Sequence, residues 1–191
     1  MQDIRTFLMM GRPGAGKGTQ AKLLAKKLGA EVYSSGNRLR EMAKGHGFVA
    51  RKIKDVIDSG GLLPSWLSSH LFEGALLMLE PEELVVFEGA CRRLEEARAF
   101  DRVVAWLERP YKAVFINVSD EESEKRLNAR RAVERRADDA SDTVIERLAE
   151  YEENTRPAVE FLRERGVLVE IDGHKSVEDV HKAILSALRL Q

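Results

Sequence analysis

The chain has one cysteine, Cys91, among its 191 residues. That excludes an internal disulfide and any zinc site built from several thiolates, and it suits a reducing compartment. Neither charge dominates: 31 Lys and Arg stand against 32 Asp and Glu, for a net charge of −1. Binding to nucleic acid would need a basic excess, so no such partner is expected. Long hydrophobic runs are also missing. No apolar stretch reaches the ~18 residues of a membrane span, and the opening Met1-Gln2-Asp3-Ile4-Arg5 lacks a signal-peptide pattern. Internal repeats, linkers and low-complexity segments are absent. The expectation is a cytoplasmic monomer without membrane contact, folded as one domain over 1–191.

What is present is a globular composition, 43% hydrophobic and 33% charged, sufficient for one sizeable core. Short apolar runs alternate with amphipathic stretches. Residues 4–10 form a compact apolar run ending at Gly11, 31–33 a shorter one, and 84–87, 112–118 and 167–171 three more. Helical spacing of apolar positions recurs over 19–28, 94–107, 121–131, 143–165 (interrupted at Pro157) and 177–188, with two or three further helical patterns before Leu79. Ala21, Leu24, Ala25 and Leu28 share one face of the first helix, which stops at Gly29. Short continuous strands alternating with helices predict an α/β fold with a parallel sheet covered on both faces.

Gly11-Arg12-Pro13-Gly14-Ala15-Gly16-Lys17-Gly18-Thr19 follows the first strand and opens the first helix. It fits G-x-x-x-x-G-K-[S/T] except that the hydroxyl is displaced one place, to Thr19. Glycines let successive backbone N–H groups turn inward, and the helix N-terminus adds partial positive charge. Lys17 then stands against the β and γ phosphates. Gly14, Ala15, Gly16, Lys17, Gly18 and Thr19 are the candidate ATP-binding residues. The bland alternative is a glycine-rich turn with a solvated lysine.

Residues 11–20 resemble the adenylate kinase family pattern G-x-P-G-A-G-K-G-T-Q at every fixed position, and the resemblance continues in register along nearly the whole chain. It implies a P-loop-type, five-stranded parallel sheet flanked by helices. It also implies a helical monophosphate-binding segment near 34–64 and a short lid near 130–138.

By the same resemblance, Ser34-Ser35-Gly36-Asn37-Arg38-Leu39-Arg40 stands for S-T-G-D-hydrophobic-L-R. Ser35 keeps the threonine's hydroxyl, Arg40 takes the place of an acceptor-phosphate arginine, and Asn37 replaces an aspartate that helps order magnesium's water shell. Gly60-Gly61-Leu62-Leu63-Pro64 resembles G-x-L-V-[T/P], which lines the acceptor base pocket. Glu88-Gly89-Ala90-Cys91-Arg92 resembles D-G-F-P-R, with Glu96 where a glutamine follows. The implied monophosphate-binding set is Ser35, Gly36, Arg40, Leu63, Gly89, Arg92 and Glu96. Glu88 is one methylene longer than aspartate and can still order a water on Mg²⁺, with Thr19 a further metal-side candidate. Ala90-Cys91 departs from Phe-Pro, and with no base near it in sequence Cys91 reads as structural.

Arg126, Arg130, Arg131, Arg135 and Arg136 crowd one stretch, followed by Asp138-Asp139 and Arg147-Leu148. A solvated helix face is the bland reading. Against it, Arg126 and Arg130 are i and i+4 and repel each other unless an anion compensates. The order resembles R-x-x-[G]-R…R-x-D-D…R-L, which implies Arg126 beside the ATP adenine and Arg130, Arg136 and Arg147 around the transferring phosphoryl. Arg131 and Arg135 have no counterpart, and the two aspartates would hold some of the arginines. Asp172-Gly173-His174-Lys175 resembles the adenine-contacting loop, with Lys175 at ATP and His174 an exposed loop residue.

The resemblance implies a nucleoside monophosphate kinase that moves the γ-phosphoryl of Mg-ATP reversibly onto a monophosphate, AMP in the family. Its catalytic set would be Lys17, Arg92, Arg130, Arg136 and Arg147, with Mg²⁺ as cofactor and no general base. Two alternatives stay open. One is the same chemistry on GMP or another monophosphate, because an ionised Glu96 can only accept hydrogen bonds and suits guanine's adjacent donors better than adenine. In that case the competing expectation is that Glu96 points to solvent or that Glu95 takes its place. The other alternative is a nucleotide-binding sensor that has lost catalysis.

Overall fold

The structure, a computed structural model, describes residues 4–134 and 141–190. Strand β1 (Thr6–Gly11) is apolar without alternation because both of its faces are covered. Phe7 and Met9 join the core on one side, Leu8 and Met10 the core on the other. Among the described residues it is the middle strand of a five-stranded sheet, in the order β2 (Glu31–Ser34), β3 (Val85–Glu88), β1, β4 (Tyr111–Asn117), β5 (Leu168–Asp172). Every pairing is parallel, as the alternation of runs predicts, and each strand falls within two residues of its expected place.

On one face, α1 (Lys17–Leu28) and α9 (Val177–Ala187) cover Phe7, Met9, Val114 and Ile116 with Ala21, Leu24 and Ile184. On the other, α4 (Ser65–Leu77), α5 (Leu94–Trp106) and α8 (Arg156–Glu164) cover Leu8, Met10, Phe87 and Phe115. Phe100 centres this second core, its ring 5.6, 5.4 and 5.4 Å from those of Phe72, Phe87 and Tyr111.

Helices α2 (Ser35–Ala43) and α3 (Phe48–Asp58) follow β2, and α6 (Asp120–Glu134) follows β4. Helix α7 (Ser141–Glu150) runs into α8 through a π-helical turn, Tyr151–Thr155. The helix expected over 143–165 is therefore broken before Pro157 and not at it. Pro157 sits in the first turn of α8, where its missing N–H costs little. The wide turn comes just before the ring, and the Arg156 N–H reaches back five residues to the Tyr151 carbonyl. The expected lid span begins inside α6, which is helical to Glu134, and its remainder lies outside the described residues.

In register, Ser34 pairs with Glu88, Met9 with Glu88, and Asn117 with Asp172. The carboxyl ends of the strands thus share one edge, the place where open α/β sheets bind ligands. No helix among the described residues is long and apolar enough to cross a membrane.

Candidate active site

A cleft of about 660 Å³ opens at that edge, a size suited to small-molecule ligands. Residues 14–19 form one wall. Ser35, Gly36, Arg40, Leu63, Glu88, Gly89, Arg92 and Glu96 line another, and Arg126, Arg130, Arg147 and Lys175 also face the cleft. All the expected site residues but one are therefore gathered in one cavity. Arg136 lies outside the described residues, as do Arg135, Asp138 and Asp139.

The phosphate loop is seated on α6. Gly14 has φ 79°, a left-handed conformation that glycine adopts without penalty. A Cβ there would stand 2.7 Å from the Ser123 carbonyl oxygen, and the Ser123 hydroxyl donates to the Pro13 carbonyl. Lys17 Nζ donates to the carbonyls of Gly11 at 2.8 Å and Arg12 at 2.7 Å. Burial lowers its pKa to about 7, opposed by the Glu88 carboxylate and reinforced by Arg92, Arg147 and Arg130. One ammonium, one carboxylate and three guanidiniums thus lie within electrostatic reach of each other.

Glu88 closes β3, and its Oε2 accepts the Ser34 hydroxyl at 2.7 Å. Burial works against its ionisation, but Lys17, that hydroxyl, Arg92 and Arg40 outweigh burial and hold the carboxyl below its usual range. A Cβ on Gly36 would come within 3.3 Å of the Arg40 guanidinium, and one on Gly89 within 3.3 Å of that of Arg92. Two glycines therefore let two arginines lie close against the backbone. Asn37, where the family pattern has aspartate, accepts from Arg40 Nη2 at 2.6 Å. From the π turn, the Thr155 hydroxyl donates to the Arg92 carbonyl at 3.0 Å.

Glu96 does not point to solvent, and Glu95 does not replace it. Glu96 is 2% exposed and lines the cleft, whereas Glu95 is exposed and accepts from the Ser65 hydroxyl. Sequence reasoning missed a second task of Glu96. Its Oε2 accepts the Arg92 backbone N–H at 2.8 Å, reaching back over the start of α5 as the glutamate of a capping box does. The only sequence signal was a glutamate in the first turn, without a conventional cap residue before it. Burial raises its pKa, and the Arg92 N–H together with the nearby Arg92 and Arg93 charges offsets this only partly. With one lone pair of Oε2 committed, a two-handed grip on guanine relies on Oε1 and the remaining lone pair of Oε2.

Cys91 is fully buried, with φ 58°. Burial pushes its thiol well above the ordinary range, helped by Glu96, which disfavours the reactive thiolate. Arg126 Nε meets Glu122 at 2.7 Å, and its Nη2 donates to the Gly173 carbonyl at 2.8 Å. The repulsion expected between Arg126 and Arg130 is thus answered at Arg126 by a carboxylate one turn earlier. His174 is exposed, its Nδ1 2.9 Å from the Asp172 carboxylate, while its Nε2 accepts the Ser119 N–H at 3.0 Å. It tethers the 172–175 loop to the end of β4.

Among the described residues, no cluster of three His, Cys, Asp or Glu could hold a metal ion. The ionised Glu88 and the Thr19 hydroxyl are nonetheless hard oxygen donors in the same cleft. They fit a magnesium that arrives with phosphate and water ligands of its own.

The family model for adenylate kinase matches residues 9–167. The adenylate kinase of Thermus thermophilus is 35% identical over 185 residues, covering 96% of this chain and 97% of the relative. That of Thermobifida fusca is 33% identical over 183 residues, covering 95% and 97%, and that of Archaeoglobus fulgidus 31% over 210, covering 95% and 97%. The family model spans most of the chain and the relatives align over nearly all of it, so the chain belongs to the adenylate kinase family and is an ATP-dependent phosphotransferase.

Proposed function

We propose that the protein transfers the γ-phosphoryl of Mg-ATP reversibly to AMP, giving two nucleoside diphosphates. The carrying observation is that one cleft is lined by the phosphate loop with Lys17, by Arg40 and Arg92, which we read as a second anion site, and by two further arginines, Arg130 and Arg147. A protein that only bound ATP would have little use for the second site.

Such a transfer requires little covalent chemistry from the enzyme, and positioning and charge do the work. Loop amides and Lys17 hold the donor phosphates. Arg40 and Arg92 hold the acceptor's phosphate in line, with Asn37 and Thr155 steadying them. Arg130 and Arg147, joined by Arg136 on the family's pattern, stabilise charge on the equatorial oxygens as it moves. Arg126, Lys175 and the 172–175 loop serve the donor base; residues 34–64 serve the acceptor. Magnesium, held by Glu88 through water and by Thr19, would neutralise phosphate charge. The remaining fine assignments are a cytoplasmic, monomeric enzyme without nucleic-acid or membrane partners.

A second reading, in which GMP or another monophosphate competes with AMP, is favoured by the buried carboxylate of Glu96 in the cleft. A coupled assay with ATP and a panel of AMP, GMP, CMP and UMP tests both. The expected result is turnover with AMP as the best acceptor. A higher specificity constant for GMP would transfer the assignment to it, and no turnover with any would leave only a nucleotide-binding module.

A further inference from the structure

Arg12 occupies the position that the phosphate-loop pattern leaves open, and nothing in phosphate binding explains it. Its guanidinium is held on three sides. Nη1 pairs with Asp120 at the start of α6, Nη2 lies 2.6 Å from Glu152 in the π turn, and the group stacks over the Tyr151 ring at 4.9 Å. Its side chain is only 19% exposed, and its carbonyl accepts from Lys17. An isolated exposed ion pair contributes little. This guanidinium is a planar fork shared by carboxylates on two separate elements, with an aromatic face beside it, and an ammonium cannot reproduce that geometry. The two elements are those that carry arginines into the cleft: α6 bears Arg130, and α7, continuous with the π turn, bears Arg147.

We propose that Arg12 is a positioning residue for phosphoryl transfer, fixing Arg130 and Arg147 relative to Lys17 without touching the nucleotide. This rests on the kinase reading above. Small displacements of groups that act on a transferring phosphoryl are costly in rate and cost less in binding.

The test is steady-state kinetics of the full chain with each substrate varied, alongside thermal melting. Arg12→Ala should lower kcat about tenfold while changing either KM by less than about threefold, because the loop amides, Arg40 and Arg92 remain. Asp120→Asn combined with Glu152→Gln leaves Arg12 in place but removes its partners, and should reproduce the loss. Arg12→Lys should recover less than half of it. The inference is overturned by a kcat within twofold of the parent in folded Arg12→Ala or in the partner double variant, or by full recovery with lysine. It is also overturned if the loss vanishes once the assay is run well below the variant's melting temperature. If Arg12→Ala fails to fold, the partner variant decides. An inactive parent enzyme would instead overturn the kinase reading, so the two failures are distinguishable.

Discussion

The two walls of the cleft, which the proposed function assigns to donor and acceptor, are built differently. The donor wall is one continuous segment, β1, the phosphate loop and the start of α1, and on the proposed reading it would hold phosphate largely through backbone N–H groups. The acceptor wall is collected from three segments, 34–40, 60–64 and 88–96, and tied together by side chains. Ser34 donates to Glu88, Arg93 Nη1 to the Leu63 carbonyl at 3.0 Å, and Thr155 to the Arg92 carbonyl. The first wall keeps every fixed residue of the family pattern, whereas the second carries Asn37, Ala90, Cys91 and Glu96. A wall of backbone amides depends on conformation and tolerates little change. A wall of side chains can change residue by residue while each newcomer finds a partner, as Asn37 does with Arg40 and Glu96 with the Arg92 N–H.

The sharpest break in this comparison should come from Lys17→Met. It leaves the amide cradle intact but removes the charge facing the phosphoryl in flight, so turnover should fall about 10²-fold or more without loss of fold. Unchanged turnover in the purified variant would remove the loop from the mechanism. Next in size, Arg147→Ala and Arg136→Ala should lower kcat by at least about tenfold with little change in acceptor KM. Arg40→Ala and Arg92→Ala should mainly raise acceptor KM, by about tenfold. If varying each substrate gives the same pattern for all four, the two walls do not divide the labour.

Smaller still, Glu96→Gln keeps an acceptor for the Arg92 N–H and restores a donor toward adenine. The AMP-to-GMP ratio of specificity constants should rise several-fold, on the order of what one pocket hydrogen bond contributes. An AMP preference that stays the same would show that this side chain does not read the base. The smallest effect is a proton. Lys17 sits near pKa 7 because of burial, and polyanion binding favours its charged form and raises that value. ATP binding should therefore take up close to one proton above about pH 8 and none below about pH 6, where the group is already charged. Calorimetry in buffers of different ionisation enthalpy measures this. No uptake at the higher pH would mean that Lys17 is charged before ATP arrives.

The donor wall and the five strands were legible in the sequence because their signals are local: consecutive apolar residues, spaced glycines, one lysine at a fixed offset. The features that escaped depend on what the fold brings near. Arg109 carries no motif that singles it out, yet it is 6% exposed, its Nε 2.9 Å from Thr6 Oγ1 and its Nη1 3.0 Å from the Glu80 carbonyl. Its burial follows from carbonyls some thirty residues away that need donors. Arg12 sits at a position that pattern matching treats as free. Glu96 invites a reading as a base contact, while its cap on the Arg92 N–H appears only once α5 has a defined start. Pro157 announced a break in the helix but could not say on which side, because that depends on Tyr151 and Thr155 being drawn inward.

The π turn ahead of that proline has a consequence for the helix's reading frame. A wide turn holds one residue more than an α turn, so its presence shifts the phase of everything before it by about 100°. In a regular helix residue 157 would donate to the carbonyl of Glu153; proline has no N–H to give, and its ring would collide with that oxygen. The sequence thereby disfavours the competing frame. Pro157→Ala would reopen it: with the wide turn lost, α7 would run regularly into α8 and Arg147 would rotate away from the cleft. Turnover measured beside melting temperature would record the exchange, with the more regular helix making the poorer enzyme.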